Sequence, residues 1–226
     1  MNLSRQRETE NKEITMRHRN SSRLGLAAAV VGVLGGLLVW PAVGSAQLIP
    51  PPQIGPVAPV LGATTVLAGT GTLAAGTSDA LQASGATGSI PSLLTGEVLH
   101  AVTIGYPDQI DSEASLAALA LNVAGTGIGA DFVMSRATAV VGSAVGTSNI
   151  DGLSINGVPI LVTGDANQTI GIPGGSVVLN EQQSLPDGTL VVNALHATVS
   201  GVADVAVASA TAGFSGGSAK AVQASY

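Results

Sequence analysis

At 226 residues the chain is long enough for one sizeable core and short for two. It carries 8 basic against 14 acidic side chains, with the basic ones gathered almost wholly near the N-terminus, which excludes a phosphate-binding surface on the remainder. Cysteine is absent, which excludes thiolate metal sites, cysteine nucleophiles and disulfides.

Arg5, Arg7, Lys12, Arg17, Arg19 and Arg23 precede an uncharged apolar run of 17 residues, Leu24 to Trp40. A positive region feeding an apolar one is the pattern of an export signal. Pro41 then breaks any helix, and Gly44-Ser45-Ala46 supplies the small residues a signal peptidase reads, so cleavage is expected after Ala46. Met16 opens a tidier version, a 31-residue signal from Met16 to Ala46, and offers an alternative start. An uncleaved signal anchor is the competing reading, because 17 apolar residues lie at the lower edge of what spans a bilayer.

Beyond Ala46 there are two basic residues, Arg136 and Lys220, against eleven acidic ones, a net charge of −9. Nucleic acid is excluded as a partner on that balance, and adhesion to an anionic membrane is disfavoured. Tyr106, Phe132, Phe214 and Tyr226 are the aromatic residues of this portion, which argues against a sugar-binding cleft built on stacking rings.

Residues 47–89 read as a leader rich in Pro, Gly, Ala and Thr. It opens with the Pro50-Pro51-Pro52 run, and its Pro59–Gly62 and Thr64–Ala68 segments are apolar enough to supply an edge strand. From Ile90 to Phe214 short β-branched runs alternate with turn signals, the spacing of an all-β antiparallel sandwich of short hairpin-connected strands. Asn156-Gly157 is the strongest hairpin signal, since both central residues of a type I′ turn need positive φ, and Pro159 marks its second strand as an edge. Pro173-Gly174-Gly175 and Pro186-Asp187-Gly188 punctuate the next strands; a two-residue Asp187-Gly188 loop would set Gln182 opposite Asn193. Leu116, Leu119, Ala120 and Val123 fit a helix as well as a strand, so one short helix over Ala114–Ala124 is allowed. Residues 215–226 read as a flexible Gly/Ser tail.

No motif assembles a catalytic centre, and no catalytic, cofactor-binding or metal-binding residue is assigned; no cofactor is implied. Gly213-Phe214-Ser215-Gly216-Gly217 matches G-x-S-x-G, but nine residues follow it in this chain, too few for the helix, acid and His of a hydrolase. Gly71–Ser78 lacks the lysine of a phosphate loop, and Gly125-Thr126-Gly127-Ile128-Gly129 lacks the strand-turn-helix setting of a dinucleotide site. Asp108, Asp111 and Glu113 cluster carboxylates that could hold Ca²⁺, though a solvated acidic loop explains them as well. His100 and His196 each sit in an apolar strand, the setting of hydrogen-bonded structural histidines. The competing reading makes them metal ligands or an acid–base pair of a secreted hydrolase or metal-dependent enzyme, with carboxylates such as Glu181 or Asp204.

The ordered segments Gly152–Pro159, Gly174–Gln182, Leu190–Val199 and Ala203–Ser209 resemble the choice-of-anchor P family of secreted bacterial proteins, over about Ile90 to Phe214. The resemblance implies an exported, surface-associated domain without established catalytic activity, whose relatives differ in C-terminal sorting signals. No apolar tail or sorting motif follows Phe214 here, so release is expected over covalent anchoring. The expectation is therefore a secreted or cell-envelope protein, non-catalytic. Its expected partner is an envelope component or a second copy met through an Ala-rich face or an edge strand. It would be membrane-bound only if Leu24–Trp40 is retained.

Overall fold

A computed structural model describes residues 64–226. The expected export segment and cleavage site, and the leader up to residue 63, lie outside the described residues. Fourteen strands run in chain order: β1 (Thr64–Gly69), β2 (Leu73–Ala74), β3 (Asp79–Ile90), β4 (Leu94–Gly105), β5 (Gln109–Val123), β6 (Thr126–Val140), β7 (Ser143–Asp151), β8 (Ser154–Ile155), β9 (Val158–Pro159), β10 (Gln168–Ile172), β11 (Gly175–Ser184), β12 (Leu190–Val199), β13 (Ala203–Gly213) and β14 (Gly216–Ser225). They form two antiparallel sheets. The first has the order β1-β14-β13-β12-β11-β10, with β2 also on β14; the second has β3-β4-β5-β6-β8-β9, with β7 also on β6. The sheets stack as a sandwich, β13 over β5 and β6, β14 over β4 and β5, β12 over β6 and β7.

The core is small-chained: Ala101, Ala114, Ala194, Ala197, Ala208 and Ala221 are fully buried among Leu116, Leu195, Val205, Val207 and Val222. Small side chains let the layers approach closely. At Gly146 of β7 an added Cβ would meet the Val192 and Leu190 side chains of β12. A hydroxyl chain crosses between layers, Thr70 Oγ1 to Thr103 Oγ1 at 3.2 Å and Thr103 Oγ1 to Ser112 Oγ at 3.3 Å.

One irregularity runs through both sheets. The registers place Ala68, Ala221, Ala208, Ala194 and Asn180 in a single line across β1, β14, β13, β12 and β11, and in alternate strands that residue is left-handed: Ala68 at φ 48°, Ala208 at 49°, Asn180 at 47°. In the second sheet Val98 and Ala118 are both at 48°. Each such residue slips the alternation by one, as bulges do. Buried positions in β5 run Ile110, Ser112, Ala114, Leu116, then Leu119, Leu121, Val123. The slip lets strands of 15 residues such as β5 and β6 keep one face on the core while the sheet bends, so the strands are longer than short hairpin arms.

Several expectations are corrected. Of Ala114–Ala124, the residues through Val123 are strand β5 and Ala124 begins the turn after it; the described residues contain no helix, so none is long and apolar enough to cross a membrane. The Leu116-to-Leu119 step of three is the slip at Ala118, which imitates helical spacing. Residues 216–225 are no flexible tail: β14 lies between β1 and β13, with Ala219, Ala221, Val222 and Ala224 buried. The β domain is not confined to residues from Ile90 on: β1 pairs with β14 as the edge strand that Thr64–Ala68 suggested, and β3 pairs with β4. Asn193 opposes Glu181, not Gln182. The loop is a three-residue Pro186-Asp187-Gly188 turn, closed by Leu185 N–H to Thr189 O at 2.8 Å with Gly188 at φ 82°, which moves the register by one. The Asn156-Gly157 turn has φ 50° and 76° and joins Ile155 to Val158, and Pro159 lies in the edge strand β9.

Candidate functional site

Three neighbouring strands of the first sheet bring one histidine and two carboxylates together. Leu195 and Ala197 point into the core, so by the pleat His196 projects from the opposite face of β12. Val177 and Leu179 fix the same orientation for β11, but the left-handed Asn180 slips the phase, so Glu181 emerges on the His196 face beside Asn193. Asp204 of β13 alternates with the buried Ala203 and Val205 and shares that face.

His196 Nε2 lies 2.7 Å from Asp204 Oδ1, and Nδ1 lies 2.9 Å from Glu181 Oε2. The Asn193 Nδ2 amide donates to the same Glu181 oxygen at 2.7 Å. Glu181, Asn193 and His196 are buried, whereas the Asp204 side chain is 27% exposed. Burial alone would push the imidazole toward its neutral form, but hydrogen bonds to Asp204 and Glu181 and the charges of both carboxylates outweigh it and raise its pKa to about 9. Burial alone would likewise raise the Glu181 carboxyl; the hydrogen bond and charge of His196, helped by Asn193, hold it below its usual range. The arrangement is a carboxylate–imidazolium–carboxylate clasp across β11, β12 and β13. At neutral pH it stores a proton and does not accept one, because both ring nitrogens already donate.

The clasp has no room for a metal between its members, since the imidazole itself occupies the space between the carboxylates. Among the described residues no group of three or more His, Cys, Asp and Glu is arranged to hold a metal ion. His100 projects from the outward face of β4, between the core residues Leu99 and Ala101. The core thus separates the two histidines, and a joint site of His100 and His196 is not formed; the carboxylates named beside them join His196 alone.

The acidic cluster is also divided by structure. Asp111 and Glu113 lie in β5, not in a loop, and Asp111 accepts from Gln109 Nε2 at 2.6 Å and Thr138 Oγ1 at 2.5 Å, with Arg136 Nη2 at 3.6 Å. Its oxygens are turned to protein donors, while Asp108 stays outside the strand. Gly213-Phe214-Ser215-Gly216 forms a two-residue hairpin between β13 and β14, not the strand-to-helix turn a serine nucleophile needs. Ala124-Gly125, both at positive φ, turns β5 into β6.

Asn193 was legible as a polar residue in a strand but not as a partner of Glu181. Counting Pro186-Asp187-Gly188 as a three-residue loop with Gly in the left-handed position would have found the pair. A groove of about 640 Å³ on the second sheet is lined by Ser89, Thr95, Asn122, Gly127, Gly129 and Asn156 among others, without a charged or aromatic side chain, and a smaller hollow of about 60 Å³ lies beside Asp108 and Phe214.

Fold and site together define a two-sheet antiparallel β-sandwich with an ionic clasp across the central strands of one layer. No family model, no curated protein and no solved structure matches the chain.

Proposed function

We propose that the protein is an exported, non-catalytic β domain that acts as a structural or interaction module at the cell exterior. The observation that carries this reading is the occupation of both His196 ring nitrogens by Glu181 and Asp204. A general base needs a free ring nitrogen facing a reacting group, and this imidazole has neither near neutral pH. The export signature from Arg5 to Ala46 supports delivery to the exterior, and the four segments that resemble the choice-of-anchor P family support the same class. The acidic balance of the chain beyond Ala46 favours a neutral or basic envelope partner over nucleic acid.

The test is mass spectrometry of culture medium and washed cells, reporting the mature N-terminus. Recovery outside the cell beginning near Gln47 is the expected result, and a second measurement compares wild type with His196→Gln against a panel of esterase, peptidase and glycosidase substrates. Cytoplasmic retention with the full N-terminus, or a hydrolytic activity lost in His196→Gln while the fold persists, would overturn the proposal.

A further inference from the structure

The groove on the outer face of the second sheet has a floor made by one register row. Ser89, Thr95, Ala120, Gly129 and Ser154 follow one another across β3, β4, β5, β6 and β8. They alternate with the buried Ile90, Leu94, Leu121, Ile128 and Leu153, so the row faces outward, and its small side chains leave a channel across five strands. At the ordinary spacing of neighbouring strands that channel is about 19 Å long. Two amides stand along it. Asn122 Oδ1 accepts from Gly125 N–H at 3.1 Å and Asn156 Oδ1 from Gly127 N–H at 2.9 Å, so in each the oxygen is taken and the Nδ2 group is left to donate. With the hydroxyls of Ser89, Thr95 and Ser154, the groove offers neutral donors above an apolar floor.

The course of β1 brings the preceding chain to the mouth of this groove. A Cβ added at Gly88 of β3 would lie 3.2 Å from Leu67 Cδ1, so Leu67 packs at that level. Three residues on, Thr70 Oγ1 meets Thr103 Oγ1, and Thr103 pairs with Leu81 near the other end of β3. β1 therefore runs away from Ile90, and Thr64 lies at the Ile90 end, where Ser89 opens the floor and Pro91–Leu93 forms the rim.

We infer that the groove is the seat of the protein's own leader, with residues 47–63 crossing the outer face of the second sheet from β3 toward β8. Position, reach and hydrogen-bonding chemistry select that occupant. The leader joins the domain at Thr64, beside the groove's open end. In the extended proline-rich conformation about six residues cover the channel, which leaves the remainder to turn the β3 edge. Pro50, Pro51, Pro52, Pro56 and Pro59 lack an N–H, so the segment carries more carbonyl acceptors than donors, the complement of the donors along the groove. It also carries no charge to be buried against a groove that has none. Being tethered, it meets the groove at an effective concentration on the order of millimolar, far above that of a free segment of the same chemistry. The inference goes beyond the proposed function and does not depend on where the protein is delivered.

The chain has no cysteine, so pairs of introduced cysteines report the contact in the purified full chain. Ala58→Cys combined with Thr95→Cys, in the groove, is expected to close an intramolecular disulfide in a glutathione buffer. The control combines Ala58→Cys with Val202→Cys, 48% exposed on the turn before β13 and at the same end of the sandwich as Thr64. The groove pair should form on the order of tenfold more readily than the control, as read by mass spectrometry. Ala120→Trp, at an exposed position on the floor, fills the channel and should bring the groove pair down to the control; circular dichroism checks that the strands persist. Equal linkage at positions 95 and 202, a preference for 95 that Ala120→Trp leaves unchanged, or linkage between two chains in place of one would overturn the inference.

Discussion

His196 and Asp204 are bonded at 2.7 Å although they do not oppose each other: His196 faces Ala206 across the β12–β13 ladder, and Asp204 faces Thr198. The bond is a diagonal tie between strands. With the tie to Glu181 on the other side, one imidazolium links three adjacent strands at the row where the sheet bends, and its protonation state becomes a term in the stability of that bend.

Stability should therefore depend on pH with a defined sign. His196 holds its proton more tightly when folded, so its contribution is complete below the unfolded value of 6.5 and is lost as pH climbs through about 9. Glu181 runs the other way: its folded pKa lies below 4.5, so its contribution is present above that value and disappears as pH falls through the folded pKa. Urea midpoints measured across the range should peak between about 4.5 and 6.5 and decline toward pH 9 by on the order of 3 kcal/mol. A midpoint that is level from pH 6 to 9 would contradict the assignment of the clasp.

Replacing His196 by Gln removes the cation between two carboxylates. A loss on the order of 3 kcal/mol is expected at pH 6, shrinking as the wild type itself deprotonates. Glu181→Gln keeps a neutral acceptor near the imidazole and should cost less, about 1–2 kcal/mol, while lowering the His196 titration midpoint seen by NMR. If Glu181→Gln leaves that midpoint unmoved, the Nδ1 bond is not a determinant of the proton.

Gly146→Ala tests the close approach of the layers. The new methyl would meet Val192 and Leu190, neither of which can withdraw from a packed core. A destabilisation of about 1–3 kcal/mol is expected in thermal or urea unfolding, and a neutral result would show the layers to be further apart at this point.

The Asn156-Gly157 turn separates backbone from side-chain effects. Asn156 sits at φ 50° and its Oδ1 accepts from Gly127 N–H at 2.9 Å, pinning the hairpin to β6. Asn156→Ala loses both features and should cost about 2 kcal/mol, while Asn156→Gly loses only the bond and should cost about 1 kcal/mol. Equal losses would assign the whole effect to the hydrogen bond.

Where the sequence was legible, the signal was local. Asn156-Gly157 and Pro173-Gly174 require particular φ values wherever they occur, so those hairpins could be read without knowing what they pack against. The strand β14 could not, because Gly216–Ser225 is small and weakly patterned and becomes a strand by lying between β1 and β13, one of them about 150 residues away in the chain and the other its partner in the preceding hairpin. The same holds at Ala118, where a slip that both sheets share looks like a helix to a periodicity argument confined to eleven residues.

The amino-acid sequence by itself determined the all-β class, most of the turns, the lack of thiol chemistry and the uneven placement of charge, because composition and turn preference act within a few residues. The tertiary structure decided that Glu181, His196 and Asp204 meet while His100 lies across the core, and that β14 takes its place between β1 and β13. Those outcomes depend on register and on the aligned slips, which arise when strands far apart in the chain must bend together over one core.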